Sequence, residues 1–260
     1  MKITVCGAAG RMGQAIISIA KTNQDIKIIG ALECNKSTAI GTGEPPISSI
    51  DNLEKFLTET DAIIDFTNPQ SALKNLETAK KYNVPIVIGT TGFSEEQKLK
   101  IHNNISKSIP IVLSPNMSIG VNILFKLIEI TAKKAKEYDI EIVELHHNKK
   151  KDSPSGTAVK LAEIAAFSLG KNIKDVGIYG RHCSDCVRKK DEIGIFAIRA
   201  GDIVGDHTIY FVGQGERIEL THRAHSRDTF AIGAIRAAKW LLGKKAGLYD
   251  MSDVLNLNKI

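Results

Sequence analysis

The stretch that decides the fold is KITVCGAAGRMG, residues 2–13. A short apolar run, Ile3 to Cys6, leads into three glycines spaced G-x-x-G-x-x-G, and an amphipathic segment starts at Arg11. A strand, a tight turn and a helix start in this order present unpaired N–H groups and a positive helix end to a phosphate. The spacing departs from the usual G-x-G-x-x-G, so an ordinary strand-to-helix turn stays open as an alternative. The order of elements favours a dinucleotide pyrophosphate site, made by Gly7, Ala8, Ala9, Gly10, Arg11 and Met12.

Short apolar runs alternate with amphipathic segments through the rest of the first half of the chain. The predicted strands are 2–6, 26–32, 62–66, 86–89 and 111–114, and the predicted helices begin near Arg11, Asn52, Gln70 and Glu95. Strands and helices in strict alternation form βαβ units around a parallel sheet. Such sheets bind ligands beyond the carboxyl ends of their strands, so the loops at those ends form the candidate site.

The second half of the chain follows a different pattern. Helices are predicted at about 121–136, 155–169 and 227–242, and strands at 140–145, 193–199, 203–212 and 217–222. Only turn residues separate the last three strands, so they are predicted to pair antiparallel. We therefore expect an α/β protein with an N-terminal Rossmann-type parallel sheet and a C-terminal α+β domain with an open mixed sheet. The expected domains are 1–117, completed by 228–260, and 118–227.

Composition limits the classes of partner. The chain has 260 residues, of which 43% are hydrophobic and 5% aromatic, and a formal net charge of +6. No basic tail or aromatic RNA-binding motif accompanies that charge, which argues against nucleic acid and leaves anionic small ligands or a plain lysine bias. The sequence shows no secretory signal and no apolar stretch of roughly 18 residues, so we expect a cytoplasmic protein that binds no membrane.

The four cysteines are expected to be reduced thiols, as is usual in the cytoplasm. Cys183 and Cys186 form a lone C-x-x-C pair. Such a pair is either a redox pair or half of a zinc site. Because the chain holds no second pair, we interpret this stretch as a surface loop.

Glu33 follows the second predicted strand, about twenty residues after the last glycine of the loop. A carboxylate at this position accepts hydrogen bonds from the adenosine ribose hydroxyls and repels the 2′-phosphate of NADPH. Cys34 stands where an arginine would bind that phosphate, so NADH is favoured over NADPH. Lys36 and Arg11 are able to compensate in part, and an exposed loop charge is the alternative interpretation of Glu33.

Two further loops end strands at the same edge of the predicted sheet. Gly89, Thr90 and Thr91 form a small hydroxyl-bearing loop that suits the nicotinamide ribose. The second loop offers backbone and amide groups for the nicotinamide carboxamide, and it consists of Ser114, Pro115, Asn116 and Met117. Each loop alone is a plain turn, but together they favour a cofactor cleft.

The densest chemistry lies in ELHHNKKKDSPSGT, residues 144–157. Its histidines and lysines donate protons and bind carboxylates. Ser155, Gly156 and Thr157 begin a helix, where hydroxyls and N–H groups form a second anion site. A metal site at His146 and His147 lacks a third ligand at zinc spacing, so no metal is expected. A solvated lysine cluster is the other alternative.

This segment resembles the signature of the 4-hydroxy-tetrahydrodipicolinate reductase (dihydrodipicolinate reductase) family, E-x-H-H-x-x-K-x-D-x-P-S-G-T. Ser153 stands where alanine is usual. The resemblance extends in order along nearly the whole chain, at residues 7–13, 64–67, 89–93, 199–207 and 221–224, and at Ser226, Arg227 and Phe230. The segment 35–51 is short and lacks the usual glycine-rich insert, which leaves the adenine side of the cofactor site open.

The resemblance implies reduction of (2S,4S)-4-hydroxy-2,3,4,5-tetrahydrodipicolinate, a small dicarboxylate, by NADH or NADPH in diaminopimelate and lysine biosynthesis. It implies that His146 is a proton donor or acceptor and Lys150 a second proton donor, and which of them delivers the proton stays open. By the same resemblance, the cofactor contacts are residues 7–12 of the glycine loop, Glu33, residues 89–91 and residues 114–117. Substrate contacts are expected at His147, Ser155, Gly156 and Thr157. A homotetramer paired through the second-domain sheet is implied, so 118–227 is expected to bind substrate and to assemble the tetramer.

Two rival functions remain. Another two-domain NAD-dependent dehydrogenase would share the glycine loop but lack the 144–157 signature. A non-catalytic dinucleotide sensor would need no proton donors, and His146 with Lys150 argue against it.

Overall fold

The strand that leads into the glycine loop lies at the centre of the first of two compact units. In the computed structural model, which describes residues 1–259, this unit comprises Met1–Ile119 and Arg227–Ile260. Numbered along the whole chain, its strands are β1 (Lys2–Cys6), β2 (Lys27–Glu33), β3 (Ser48–Ser49), β4 (Ala62–Asp65), β5 (Ile86–Ile88), β6 (Pro110–Leu113) and β12 (Gly247–Tyr249). Its helices are α1 (Arg11–Thr22), α2 (Glu54–Leu57), α3 (Pro69–Lys81), α4 (Glu95–Lys100), α8 (Asp228–Leu241) and α9 (Met251–Val254), with short helical turns at Ile50–Asn52, Ile101–Ile105 and Leu257–Lys259.

The seven strands form one parallel sheet in the order β12-β6-β5-β4-β1-β2-β3. This confirms the predicted Rossmann-type sheet. Successive side chains of a strand alternate between two apolar clusters, as Ile63 and Ile64 of β4 do, because both faces of the sheet are covered. The sequence did not predict β3 and β12, since they have only two and three residues and are identified by pairing with β2 and β6.

The second unit, Gly120–Ser226, holds a mixed sheet. Its strands are β7 (Asp139–His146), β8 (Gly177–Tyr179), β9 (Ile193–Arg199), β10 (Gly205–Gly213) and β11 (Glu216–Ala224), and its helices are α5 (Ile119–Lys134), α6 (Gly156–Ser168) and α7 (Ile173–Val176). Ile140 and Ile142 of β7 pack in one apolar cluster with Ile128 of α5 and Leu161 of α6. The intervening side chains of β7 are only half-buried. The fold class predicted from sequence is therefore confirmed.

One predicted pairing is wrong. The sheet order is β11-β10-β7-β9-β8, so β10 pairs antiparallel with β11 as predicted, but β9 and β10 do not pair with each other. They lie on either side of β7, which is parallel to β9 and antiparallel to β10. The short connection after β9 passes the end of β7 and bonds to it there: the N–H of Ala200 donates to the carbonyl of His146, and the N–H of His147 donates to that of Ile203. A short connection therefore did not require a hairpin.

Cys183 and Cys186 lie next to each other, and their Cα atoms are 5.7 Å apart, a separation within the usual range for a disulfide. The expectation of reduced thiols stays a prediction for this pair. They lie in an irregular segment between β8 and β9 where Cys183 is exposed, as the surface-loop interpretation predicts. Cys6 is buried and Cys34 is exposed, and both are free thiols.

No helix among residues 1–259 is long and apolar enough to cross a membrane. The same residues hold no cluster of three or more histidine, cysteine, aspartate or glutamate side chains placed to bind a metal ion.

Candidate active site

Two glycines of the predicted cofactor loop have no room for a side chain. Gly7 follows β1 with a φ of +83°, and a Cβ there would lie 2.5 Å from the carbonyl oxygen of Phe66. A Cβ on Gly13, in the first turn of α1, would lie 2.1 Å from the carbonyl oxygen of Gly7. Only glycine allows α1 to approach the loop this closely. The N-cap of α1 is Gly10 and no side chain caps the helix, so the first-turn N–H groups form a cradle that fits a dinucleotide pyrophosphate.

Glu33 lies beside this loop at the end of β2. Its Oε2 accepts a hydrogen bond from the backbone N–H of Ala9 at 3.0 Å, and its Oε1 accepts one from that of Cys34 at 3.0 Å. The carbonyl oxygen of Leu32 accepts hydrogen bonds from two N–H groups of the loop at 2.9 Å. The structure thus brings the carboxylate predicted for the ribose into contact with the glycine loop. Arg11 and Lys36 are both exposed.

A buried carboxylate, Asp65 at the end of β4, organises the neighbouring loop. It accepts hydrogen bonds from the N–H and hydroxyl of Thr67, from the amide of Asn75 at 2.7 Å and from the hydroxyl of Thr90 at 3.1 Å. Burial raises the pKa of Asp65, and these donors act against that increase. The hydroxyl of Thr90 is therefore engaged inside the protein, whereas Thr91, the next residue of the predicted loop, is exposed.

The other predicted cofactor loop follows β6, which pairs with β5. Ser114 and Met117 are buried, whereas Pro115 is exposed. The hydroxyl of Ser114 donates to the carbonyl oxygen of Asn116 at 2.9 Å, so this side chain holds the turn together. Gly89 directly follows β5, and a Cβ there would lie 2.2 Å from the ring of Phe66. Both loops therefore lie at the carboxyl edge of the sheet, as predicted.

In the second unit, a fully buried carboxylate, Glu144, joins the predicted catalytic residue His146 to Arg199 and to the start of α6. Oε1 of Glu144 accepts hydrogen bonds from the backbone N–H of Ser155 at 2.9 Å and from Nη2 of Arg199 at 2.7 Å. Oε2 of Glu144 accepts one from Nη1 of Arg199 at 2.9 Å and lies 2.5 Å from Nδ1 of His146. Burial alone raises the pKa of Glu144, but these hydrogen bonds outweigh it and lower that pKa to about 2. Glu144 is therefore an anion at neutral pH.

A second buried histidine flanks His146. The ring of His207 lies edge-on to the ring of His146, with 5.2 Å between the ring centres. Burial, together with the nearby His146, lowers the pKa of His207 to about 3. His207 is therefore a neutral imidazole at physiological pH, next to a histidine that is paired with a carboxylate.

Lys150 lies in the basic loop that follows β7. Its Nζ is 2.8 Å from Oδ1 of Asp152, and its side chain is 20% exposed. Burial raises the pKa of Asp152, but the hydrogen bond with Lys150, a backbone hydrogen bond and the charges of Lys150 and Arg199 together outweigh burial and lower that pKa. The neighbouring Lys149 and Lys151 are exposed, and His147 is half-buried. We call Glu144, His146, Arg199 and His207 the His146 cluster. Of the three consecutive lysines, Lys150 is the one held at the edge of this cluster.

Ser155, predicted as a substrate contact, is a buried helix cap. Its Oγ accepts a hydrogen bond from the N–H of Ala158 at 3.1 Å and lies 3.0 Å from Nε2 of His207. With its N–H bound to Glu144, every polar group of Ser155 is used within the protein, since its carbonyl accepts a bond of α6. Of the next two residues, Gly156 is exposed and Thr157 is half-buried. The candidate anion site at the start of α6 therefore consists of Gly156 and Thr157.

Two family models match this chain. "Dihydrodipicolinate reductase, N-terminus" matches residues 1–117, and "Dihydrodipicolinate reductase, C-terminus" matches residues 120–255. The chain belongs to the dihydrodipicolinate reductase family. The resemblance identified from sequence is therefore confirmed.

Known members of this family are similar over their full length. A 4-hydroxy-tetrahydrodipicolinate reductase of Aquifex aeolicus is 50% identical over 271 residues, and one of Trichlorobacter lovleyi is 50% identical over 266 residues; each match covers 99% of both chains. The fold is shared with a solved dipicolinate-bound dihydrodipicolinate reductase from Paenisporosarcina sp. TG-14. That structure has a TM-score of 0.78 and 24% identity, and the match covers 96% of this chain and 97% of that one.

Sequence reasoning assigned no role to Asp65, Glu144, Arg199 or His207. One signal was present for Glu144, because it shares the buried face of β7 with Ile140 and Ile142. A carboxylate at a buried strand position needs a charged or hydrogen-bonding partner. The partner, Arg199, is on β9, and its contact depends on a strand pairing that the sequence did not predict.

Proposed function

We propose that this chain reduces (2S,4S)-4-hydroxy-2,3,4,5-tetrahydrodipicolinate to (S)-2,3,4,5-tetrahydrodipicolinate in diaminopimelate and lysine biosynthesis. The observation that carries the proposal is the His146 cluster of the second unit, with its buried carboxylate, the basic loop beside it and the start of α6, where Gly156 and Thr157 follow the capping Ser155. A dinucleotide sensor has no use for that cluster. The first unit supplies the glycine cradle that fits a dinucleotide, and relatives with this activity in their name are half identical to this chain.

For the cofactor, we propose that the pyrophosphate binds to the N–H groups of residues 7–12 and of the start of α1. When bound, the reduced dinucleotide supplies the hydride for the reaction. The nicotinamide half is assigned to the loops 89–91 and 114–117, where the exposed groups are Thr91, Pro115 and the backbone. Because the hydroxyl of Thr90 is bound to Asp65, we assign Thr90 a backbone contact only.

We propose that the carboxylate of Glu33 accepts hydrogen bonds from the hydroxyls of the adenosine ribose of NADH. It lies within hydrogen-bond distance of the loop that would hold the adjoining phosphates. Its negative charge opposes the 2′-phosphate of NADPH, and Cys34 offers no positive charge in return. We therefore propose NADH as the preferred cofactor. If the protein prefers NADPH instead, Lys36 and Arg11 are the groups that would bind its 2′-phosphate.

The substrate carries two carboxylates, so two separate anion-binding elements are needed. We propose that one is the start of α6, at Gly156 and Thr157, where N–H groups and the helix dipole favour an anion. The ammonium of Lys150 is the other, and His147 adds a polar contact beside it. Dipicolinate, which is bound in the related structure, is an unreactive dicarboxylate and a suitable ligand for testing these assignments.

The chemistry requires one proton in addition to the hydride. Loss of the substrate hydroxyl as water gives a conjugated imine, and a hydride and a proton then convert it into tetrahydrodipicolinate. In balance, hydroxytetrahydrodipicolinate, NAD(P)H and one proton give tetrahydrodipicolinate, NAD(P)⁺ and water. We propose that His146 and Lys150 hold the exchangeable protons, because both have a carboxylate partner and are partly shielded from solvent.

The test is a coupled assay in which an aldolase generates the unstable substrate and consumption of NADH or NADPH is followed by absorbance. The expected result is substrate-dependent oxidation, lowered by about 10²–10⁴-fold in kcat in His146→Gln and Lys150→Ala. Lys149→Ala is the matched control, since this lysine is exposed in the same loop and should keep the wild-type rate. No oxidation by the wild-type protein, with substrate formation verified independently, contradicts the proposal.

We also propose a homotetramer assembled through the sheet of the second unit. The half-buried face of β7 continues into apolar side chains of the neighbouring strands: Leu145 lies beside Ile198 of β9, and Val212 of β10 is paired with Asp139. Ile198 and Val212 are both exposed in the single chain. Light scattering should give the mass of four chains, and Ile198→Asp should lower it; a monomeric wild-type protein rejects the assembly.

A further inference from the structure

Gly205, the first residue of β10, lies against the imidazole of His146. A Cβ at this position would lie 2.9 Å from Nε2 of His146 and 3.3 Å from its Cδ2. Gly205 is not among the glycines with positive φ, so the backbone itself would accept an alanine. The need for glycine here comes from the imidazole, and specifically from the space beside Nε2.

The other nitrogen of the same ring is fixed from the opposite side. Nδ1 of His146 lies 2.5 Å from Oε2 of Glu144. A carboxylate only accepts hydrogen bonds, so Nδ1 must carry a hydrogen. Nε2 is then the nitrogen whose protonation state is free to change, and it is the one that Gly205 leaves uncrowded.

Glu144 itself has little freedom to move. Arg199 binds both of its oxygens, and the same guanidinium donates to the carbonyl oxygen of Asp152 at 2.7 Å. The N–H of Ser155 fixes Oε1 of Glu144 from the start of α6. The carboxylate is therefore attached to β9, to the basic loop and to α6 at once, which fixes the ring of His146 relative to all three.

We propose that Glu144 and Gly205 are positioning residues that make Nε2 of His146 the atom that gives the proton to the substrate. This inference rests on the proposed function. In the step, the imidazolium of His146 transfers its Nε2 proton to the ring carbon next to the carbon that accepts the hydride. The ring is left as the neutral Nδ1–H form and regains a proton from solvent, so the protons balance with the hydride.

The first test is Gly205→Ala. The added methyl group must displace Nε2, and misplacement of a reacting group by about 1 Å costs on the order of 10²-fold in rate. We expect kcat to fall by about 10²-fold while KM for the substrate stays within about threefold, because Lys150 and Gly156 are untouched. The matched control is Gly213→Ala at the opposite end of the same strand, where a Cβ would crowd the ring of Tyr138 at 2.6 Å. That variant should keep the wild-type kcat.

The second test observes the imidazole without any reaction. The ¹⁵N–¹H spectrum of the histidine side chains, with the His146 signals assigned by their loss in His146→Gln, should show the Nδ1–H tautomer in the wild-type protein. In Glu144→Gln the carboxylate is lost, and the Nε2–H tautomer should become populated. An Nε2–H tautomer in the wild-type protein overturns the inference even if Glu144→Gln does not fold.

The two tests separate this inference from the proposed function. A wild-type protein without reductase activity rejects the proposed function, while the tautomer spectrum still decides how His146 is held. An active wild-type protein whose Gly205→Ala variant keeps the full kcat rejects the inference alone. A loss of kcat in Gly213→Ala equal to that in Gly205→Ala also rejects it, because the effect then comes from crowding the strand.

Discussion

Replacing Ser155 with alanine separates two roles for this residue, that of a helix cap and that of a substrate contact. The hydroxyl accepts the N–H of Ala158 at the start of α6 and is the hydrogen-bonding partner of Nε2 of His207. In Ser155→Ala both interactions are lost, while the backbone bond from Ser155 to Glu144 remains.

The expected loss of stability follows from these two contacts. Losing a serine N-cap costs about 1 kcal/mol, within a range of roughly 0.5–2 kcal/mol. Leaving a buried polar atom without a partner costs about 1–3 kcal/mol. Because Nδ1 of His207 already has no partner among the described residues, the whole buried ring would then lack hydrogen bonds. We expect the free energy of unfolding to fall by about 2–4 kcal/mol.

Urea denaturation of Ser155→Ala gives this free energy, and steady-state kinetics below the unfolding transition gives KM for the substrate. The matched control is Asn172→Ala, because Asn172 is an exposed cap in the same unit, bound to the N–H of Lys174. It should cost about 1 kcal/mol or less. Unchanged stability of Ser155→Ala with a tenfold rise in KM would refute the reasoning, since the hydroxyl would then contact the substrate.

Three further predictions concern the cofactor loop and the buried carboxylate. Gly13→Ala should weaken NADH binding at least tenfold, measured by calorimetry, because the added Cβ would lie 2.1 Å from the carbonyl oxygen of Gly7. The control Ser18→Ala, on the exposed face of α1, should leave NADH binding unchanged. Glu33→Gln should move the ratio of kcat/KM for NADH over NADPH towards NADPH, and an unchanged ratio contradicts the assignment. The pKa of Glu144 is about 2 in the folded state instead of the usual 4.5, so its contribution to the free energy of unfolding is present above pH 4.5 and is lost as the pH falls towards 2. In an acid titration of stability, Glu144→Gln should lack this loss between pH 4.5 and 2.

The sequence was sufficient for the parallel sheet and for the location of the candidate sites. The five strands predicted for the first unit are mostly apolar, and predicted helices alternate with them, so apolar runs and alternation were enough to predict the Rossmann-type sheet. The loops after β1, β5 and β6 meet at one edge because parallel strands all end on the same side. The residues 144–157 were recognisable because histidines, lysines and a helix start are contiguous there.

What sequence reasoning missed depends on contacts between residues distant in the chain. The position of β7 between β9 and β10 is a tertiary choice, and short turns around β9 and β10 suggested a hairpin instead. Arg199 reaches Glu144 only because β9 pairs with β7, and Ser155 meets His207 across 52 positions of sequence. Serine at a helix start fits both a cap and an anion site, and the sequence does not distinguish the two roles.

The most direct test of the central claim follows the hydride itself. The protein is supplied with aldolase-generated hydroxytetrahydrodipicolinate and with reduced nicotinamide dinucleotide that carries deuterium at C4 on the transferred face, and the product is analysed by mass spectrometry. We predict tetrahydrodipicolinate with one deuterium per molecule, formed in step with oxidation of the dinucleotide. Product without deuterium, or dinucleotide that stays reduced while substrate is present, would contradict the account.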